Sequence, residues 1–263
     1  MPFNDLENVL AHIAPGTKIR DAVDRIVEQG AGGLIAVCAL EEIENLITSG
    51  FQMDAEFTPQ KLAELAKMDG ALVINEEMDN ITYANAHLAP DPTILSDETG
   101  TRHKAAEQTA IQLKIPVIAI SERRQRITVY YEDQRYILRD LSTLNSKVNQ
   151  ALLILDQYRN SFDDGIRELT SLELKGRILP FHVANVLRQV VQMLNMREEI
   201  NRMFIELGEE RDLPERQLEN LLVGVESEFN YIIQDFRKDS TEGVPEIREQ
   251  IFNLSSQELM TTG

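Results

Sequence analysis

The chain has one cysteine among its 263 residues, Cys38, which excludes an internal disulfide framework. Cys38 lies in the apolar run Gly32-Gly33-Leu34-Ile35-Ala36-Val37-Cys38-Ala39-Leu40. No basic residue stands near it in sequence to stabilise a thiolate, so it reads as a buried core thiol and not as a nucleophile. Long apolar runs are missing as well. No stretch approaches the roughly 20 residues that cross a bilayer, and the start, MPFNDLENVL, lacks a basic region followed by an apolar one. The expectation is a cytoplasmic chain that is neither secreted nor membrane-inserted.

Positive charge is scarce. The chain carries 26 Lys and Arg against 44 Asp and Glu, a net charge of −18. The deficit is even, with 14 basic and 23 acidic groups in residues 1–150 and 12 and 21 in residues 151–263. A broad nucleic-acid-binding surface needs a basic face, so the balance argues against one. A phosphate site, if present, must be a local basic cluster on an acidic background. The common catalytic motifs are also missing: there is no HExxH, CxxC, Walker loop or GxGxxG, and His12, His87 and His182 show no paired spacing. A zinc hydrolase, a P-loop NTPase and a Rossmann dehydrogenase therefore lack support. No short-period repeat or low-complexity tract occurs.

Enough apolar residue is present, 43%, for a soluble globular protein of one large domain or two ordinary ones. Over the first 140 residues, short β-branched runs alternate with helical patterns, which predicts an α/β domain. Strands are expected at 33–40, 71–75, 81–87, 117–121, 127–131 and 136–138, and helices at 19–29, 58–68 and 101–114. Polar turn residues at 75–80 and 132–134 join two of the strand pairs as hairpins, so the sheet should be mixed. From about Ser142 the pattern is helical throughout, with segments at 181–207 and 213–236 and breaks near 176–180, 208–214 and 243–245. The expected division is a sheet domain over residues 1–141 and an all-α spine over 142–263.

Three segments could carry chemistry. In Glu98-Thr99-Gly100-Thr101-Arg102-His103-Lys104, Gly100 permits a tight turn and Thr101 is a plausible N-cap. Arg102, His103 and Lys104 then fill the first turn of a helix, where the dipole disfavours cations. A bound phosphate would resolve the conflict, because free backbone amides, dipole and side chains would converge on it. A solvated helix start is the plain alternative. Asp69-Gly70-Ala71 stands between a helix and an apolar strand. In isolation it reads first as a helix stop with Gly70 as the turn residue; the weaker reading is a carboxylate for a cation beside small residues that admit a ligand. Ser121-Glu122-Arg123-Arg124 ends a strand, where ligands gather in α/β sheets, or is simply a solvated turn.

Taken together and in this order, these segments resemble the DisA-type diadenylate cyclases. The resemblance is carried by Ala14-Pro15-Gly16-Thr17, Gly32-Gly33-Leu34-Ile35, Leu65-Ala66-Lys67-Met68-Asp69-Gly70-Ala71, Tyr83-Ala84-Asn85 and Pro90-Asp91-Pro92. It continues through Ser96-Asp97-Glu98-Thr99-Gly100-Thr101-Arg102-His103 and Ile118-Ala119-Ile120-Ser121-Glu122-Arg123-Arg124, and extends along the helical half to about residue 255.

The resemblance implies a mixed twisted sheet flanked by helices and followed by a helical spine. It also implies condensation of two ATP molecules into cyclic di-AMP by a face-to-face subunit pair, within an octamer of two opposed tetramers. By the same resemblance Asp69 binds a divalent metal (Mg or Mn) and activates the 3′-hydroxyl, and Gly70 and Ala71 shape the ribose side. Leu88 meets adenine, Thr101, Arg102, His103 and Lys104 hold the triphosphate, and Ser121 and Glu122 complete the phosphate and metal environment.

Three departures stand out. Lys104 replaces the family's usual arginine, which keeps the charge and loses the bidentate fork. Ala105 stands where threonine is common. Nothing after Gly243 resembles the family's helix-hairpin-helix module, so DNA binding by this chain is expected to be poor. The runner-up reading is a catalytically weak nucleotide-binding protein with a regulatory or scaffolding role.

Overall fold

The computed structural model describes residues 3–237 and 243–254; the other positions, among them the end of the segment compared with the helix-hairpin-helix module, lie outside the described residues. In chain order the elements are α1 (Leu6–His12), α2 (Lys18–Glu28), β1 (Gly33–Val37), α3 (Leu40–Ile43), β2 (Ile47–Glu56), α4 (Pro59–Leu65), β3 (Ala71–Ile74) and β4 (Asn80–Leu88). Next come α5 (Thr101–Leu113), β5 (Val117–Ser121), β6 (Arg126–Tyr131) and β7 (Gln134–Ile137), and then only helices: α6 (Leu141–Leu174), α7 (Pro180–Leu207), α8 (Asp212–Leu222), α9 (Val225–Phe236) and α10 (Val244–Asn253). Two compact units result, one of residues 1–143 with 205–210, the other of 144–204 with 211–263.

The seven strands form one mixed sheet in the order β2-β4-β3-β1-β5-β6-β7. Only β1 and β3 run parallel; every other pair is antiparallel. Both hairpins expected from the sequence are present, β3–β4 and β6–β7. The central strands are buried on both faces, which is why they read as continuous apolar runs. Ile35, Val37, Leu72, Ile74, Ile118 and Ile120 point to one side and pack with α1, α2 and α4 residues such as Val9, Ile19, Val23, Ile26 and Leu62. Leu34, Ala36, Ala71, Val73, Val117 and Ala119 point to the other and meet Ala106 and Ala110 of α5. Small residues on this second side let α5 lie close to the sheet. Cys38 is buried there, and burial, with Glu42 and Glu76, pushes its thiol up to about 12, so it is a core residue.

The local signals that start helices work as the chemistry requires. Thr58 caps α4 by accepting from the Lys61 N–H (3.2 Å), with Pro59 in the first turn. Strand β2 and the short helices α1 and α3 escaped the sequence pattern. Strand β2 is a sheet edge exposed along most of its length, and three register shifts spoil its alternation. Helix α1 has only seven residues, too few for periodicity to show, and is held by its Asp5 cap on the Asn8 N–H (2.8 Å). The expected strand at 33–40 ends at Val37, because Leu40 already starts α3.

In the helical half, α6 runs unbroken for 34 residues, about 51 Å at 1.5 Å per residue. The segment expected at 213–236 divides into α8 and α9 at Gly224, whose φ of +79° suits glycine.

Candidate active site

The sheet register brings the predicted segments to one end of the sheet. Leu34 pairs with Ala71 and Gly33 with Ile120, so Gly32, the Asp69–Gly70 turn and Ser121 all lie at the edge where β1 and β3 begin and β5 ends. Leu88, at the end of β4 and two residues beyond the Ala71–Ala86 pair, stands at the same edge. Gly70 is needed for a close approach. A Cβ there would fall 2.6 Å from the carbonyl carbon of Asn85, where β4 passes with φ +51°. Ala71 and Leu88 are buried in the core on the α5 side.

Helix α5 starts at this same end. Its N-cap is Gly100 rather than Thr101, and no side chain caps it. The first bond of the helix runs from the Lys104 N–H to the Gly100 carbonyl (2.8 Å), which leaves the amides of Thr101, Arg102 and His103 without intrahelical partners. Gly100 has an ordinary φ of −88°, so it serves here as an uncovered position and not as a left-handed turn residue. The long segment leading to it is tied along α5. Gln112 Oε1 accepts from the Asp91 N–H (2.9 Å), Gln108 Nε2 donates to the Ile94 carbonyl (2.7 Å), and the Ser96 hydroxyl donates to Glu107.

Beyond the first turn of α5 the sheet face is uncovered, and an open cleft of about 830 Å³ remains. Residues 97–103 form one wall and residues 121–124 another. Arg126 and Thr128 of β6 and Arg135 and Ile137 of β7 add the sheet face itself. Period-2 alternation explains the last group: Ile127, Val129 and Tyr131 face the opposite core, so Arg126, Thr128 and Tyr130 face α5. Five arginines thus surround the cleft (Arg102, Arg123, Arg124, Arg126 and Arg135) against three carboxylates (Asp97, Glu98 and Glu122). In a chain of net charge −18 this is a concentrated positive site.

Of the predicted residues, Thr101, Arg102, His103, Ser121 and Glu122 line the cleft directly. Asp69 joins them through Arg102, whose Nη2 lies 3.4 Å from Asp69 Oδ1; the Asp69 side chain is otherwise fully exposed. Arg102 reaches it by lying across Gly32, where a Cβ would come within 2.1 Å of Nη1. Lys104 is exposed, and it, Gly70, Ala71 and Leu88 do not line the cleft. Burial lowers the His103 pKa; the Glu98 carboxylate opposes this, and Arg102, Arg126 and Arg124 reinforce it, leaving the imidazole below its ordinary value. Burial pushes the Glu98 carboxyl up, but hydrogen bonds from the Tyr130 hydroxyl (2.8 Å) and Arg135 Nη1 (2.9 Å) outweigh it and hold the group below the usual range. Sequence reasoning gave no role to Glu98, Arg126, Tyr130 or Arg135. The alternation Arg126-Ile127-Thr128-Val129-Tyr130-Tyr131 was the available signal for a polar face on β6.

Fold and site together define a class: a mixed-sheet α/β domain whose cleft suits a polyphosphate, followed by a helical region. Comparison with known proteins gives the particular family. The family model described as DisA bacterial checkpoint controller nucleotide-binding matches residues 20–135, and the DisA bacterial checkpoint controller linker region matches residues 138–263. Among curated relatives, the DNA integrity scanning protein DisA of Symbiobacterium thermophilum is 41% identical over 252 residues, covering 95% of this chain and 72% of that protein. The proteins of the same name from Bacillus mycoides (39% identical, covering 96% and 71%) and Fusobacterium nucleatum (35%, covering 99% and 74%) are similar over nearly the same span. A solved structure of DacA from Staphylococcus aureus aligns with 50% of this chain and 87% of that one, at 23% identity and a TM-score of 0.40. The chain belongs to the DisA family of diadenylate cyclases, a class of nucleotidyltransferases. No helix among the described residues is long and apolar enough to cross a membrane.

Proposed function

We propose that this cleft holds the triphosphate of ATP and that the chain condenses two ATP molecules into cyclic di-AMP, releasing two pyrophosphates. The observation that carries the reading is the convergence of five arginines and the free amides of α5 on one cleft in an otherwise acidic chain. Thr101, Arg102, His103 and Ser121 bind and orient the phosphates from the cleft walls, and the exposed Lys104 supplies further positive charge from beside the cleft. Gly70 and Ala71 leave room on the ribose side, and Leu88 stands near adenine. In each half-reaction a 3′-hydroxyl oxygen forms a bond to the α-phosphorus of the other ATP, and the bond from that phosphorus to the pyrophosphate oxygen breaks. The hydroxyl proton passes to the Asp69 carboxylate. Two attacks need two ATP molecules held head to head, so two copies of the chain face each other, and the helical region from residue 142 assembles such pairs into an octamer. Rate enhancement of this kind comes from positioning and electrostatics.

The residues fit a hard divalent cation, magnesium or manganese. Such an ion takes one or two carboxylates together with substrate phosphates, and Asp69 offers an exposed carboxylate beside the cleft, with Glu122 as a second donor. When bound, the ion would neutralise phosphate charge and acidify the attacking hydroxyl.

Incubation with ATP and Mg²⁺ or Mn²⁺, followed by chromatography, tests the reading: a cyclic dinucleotide and pyrophosphate are expected. ATP that binds and returns unchanged would favour the catalytically weak nucleotide-binding alternative.

A further inference from the structure

Tyr130 and Arg135 are directly opposite each other on β6 and β7. Residues so paired point to the same face of a sheet. Here they converge on one atom: the Tyr130 hydroxyl donates to Glu98 Oε1 at 2.8 Å and Arg135 Nη1 donates to the same oxygen at 2.9 Å. Glu98 reaches this point from the segment that leads into α5, where its own N–H donates to the Ser96 hydroxyl (3.2 Å), which in turn donates to Glu107 of α5. The carboxylate side chain is 19% exposed, while that of Arg135 is 48% exposed.

A mostly buried carboxylate beside a polyphosphate cleft is unfavourable by itself, because it repels the ligand. It is tolerated where it organises cations that outweigh it. Arg135 has five N–H donors in a planar fork, and one of them is bonded to Glu98. The bond fixes one edge of the guanidinium and leaves the others toward the cleft that Arg135 lines. A flexible arginine on an edge strand would lose several rotamers on binding a phosphate, and prior fixation removes much of that cost. The His103 ring, 6.4 Å from the Tyr130 ring at 81°, places the same cluster beside the first turn of α5.

We propose that Arg135 is a further triphosphate-binding residue of this cleft and that Glu98, anchored by Tyr130, is its positioning residue. The proposal rests on the nucleotide reading of the cleft. It extends the phosphate site from the α5 turn to the edge strand of the sheet, so that the outer phosphates, those that leave as pyrophosphate, meet a guanidinium already aimed at them.

The test is a double-mutant cycle on ATP affinity, measured by calorimetry with Mg²⁺ on the full chain, alongside melting temperatures. Arg135→Ala should weaken ATP binding about tenfold. Glu98→Gln should weaken it by a similar factor, with a melting temperature close to that of wild type. The double variant should bind no more weakly than Arg135→Ala alone, because Glu98 acts through Arg135. Tyr130→Phe, which removes one donor to Glu98 and leaves every charge in place, should fall between wild type and Glu98→Gln. Unchanged affinity in Arg135→Ala overturns the proposal, as does a Glu98→Gln effect that adds to that of Arg135→Ala. Should Glu98→Gln fail to fold, the Arg135→Ala and Tyr130→Phe results still decide. Wild type that binds ATP but forms no cyclic product would refute the cyclase reading and leave this binding cycle valid; wild type that binds no ATP would overturn both.

Discussion

Arg102 is stretched across a glycine toward a carboxylate that has no other ion-pair partner among the described residues. Its 3.4 Å contact with Asp69 links the two halves of the site, yet it is a long, exposed pair worth little in stability. Arg102 is therefore free to turn to a phosphate, which makes a stronger partner. Asp69→Asn keeps the shape of the turn and removes the proposed proton acceptor. It should lower turnover by at least about a hundredfold while most ATP affinity survives, as paired turnover and calorimetric measurements would show. His103 lies below its ordinary pKa of 6.5, so its folded value is depressed relative to the unfolded chain. The sign follows: its contribution to stability is present above about pH 6.5 and is lost as pH falls through the folded value. Thermal melts without ligand should show acid destabilisation below that pH, and the effect should shrink in His103→Gln. ATP brings negative charge and should raise this pKa again, so binding near pH 6 should take up protons. Calorimetry in two buffers of different ionisation heat would detect the uptake.

At the scale of elements, the site depends on turns that let chain segments come close. The turn before β3 presses Gly70 against Asn85, itself held at φ +51° in the irregular middle of β4. Gly70→Ala inserts a methyl where backbone already stands. It should cost about 1–3 kcal/mol, as overpacking does, read as a lower urea midpoint, and should also reduce turnover by displacing Asp69. Helix α5 is the second such element. Its end before Pro116 and the strand that starts just after that proline were legible, since proline stops helices, whereas the left-handed C-cap at Lys114 was not. Its N-terminus was legible as an electrostatic conflict, three basic groups at the positive end of a dipole. The identity of the cap was misread, because Gly100 and Thr101 both suit that place and only backbone geometry separates them.

For the molecule as a whole, the proposed chemistry demands two ATP molecules, and each cleft would account for one. Specific activity should therefore fall when the protein is diluted below the dissociation constant of the pair. Sedimentation and product formation measured on the same dilution series would check this, and constant specific activity from a demonstrated monomer would contradict it. The acidic balance of the chain, −18, makes the arginine cleft a local exception. Anionic ligands would be drawn to that place, and the attraction should weaken as salt rises.

The sequence by itself determined the mixed α/β class, the helical second half, the buried state of Cys38 and the basic first turn of α5 at residues 102–104. These follow from local causes: periodicity, turn chemistry, and charge placed against a helix dipole. Asp69-Gly70-Ala71 was ambiguous from its residues alone and gained meaning only from family resemblance. Tertiary structure decided the rest. Register across β1, β3 and β5 brought residues 32, 69 and 121 to one edge, and cross-strand pairing set Tyr130 beside Arg135 on a single oxygen of Glu98. No local pattern encodes such meetings, because pairing depends on which strands become neighbours, and that is settled by burial of the whole sheet. The basic cleft is the clearest case: residue 102 announced it, and residues 123, 124, 126 and 135 joined it only through folding.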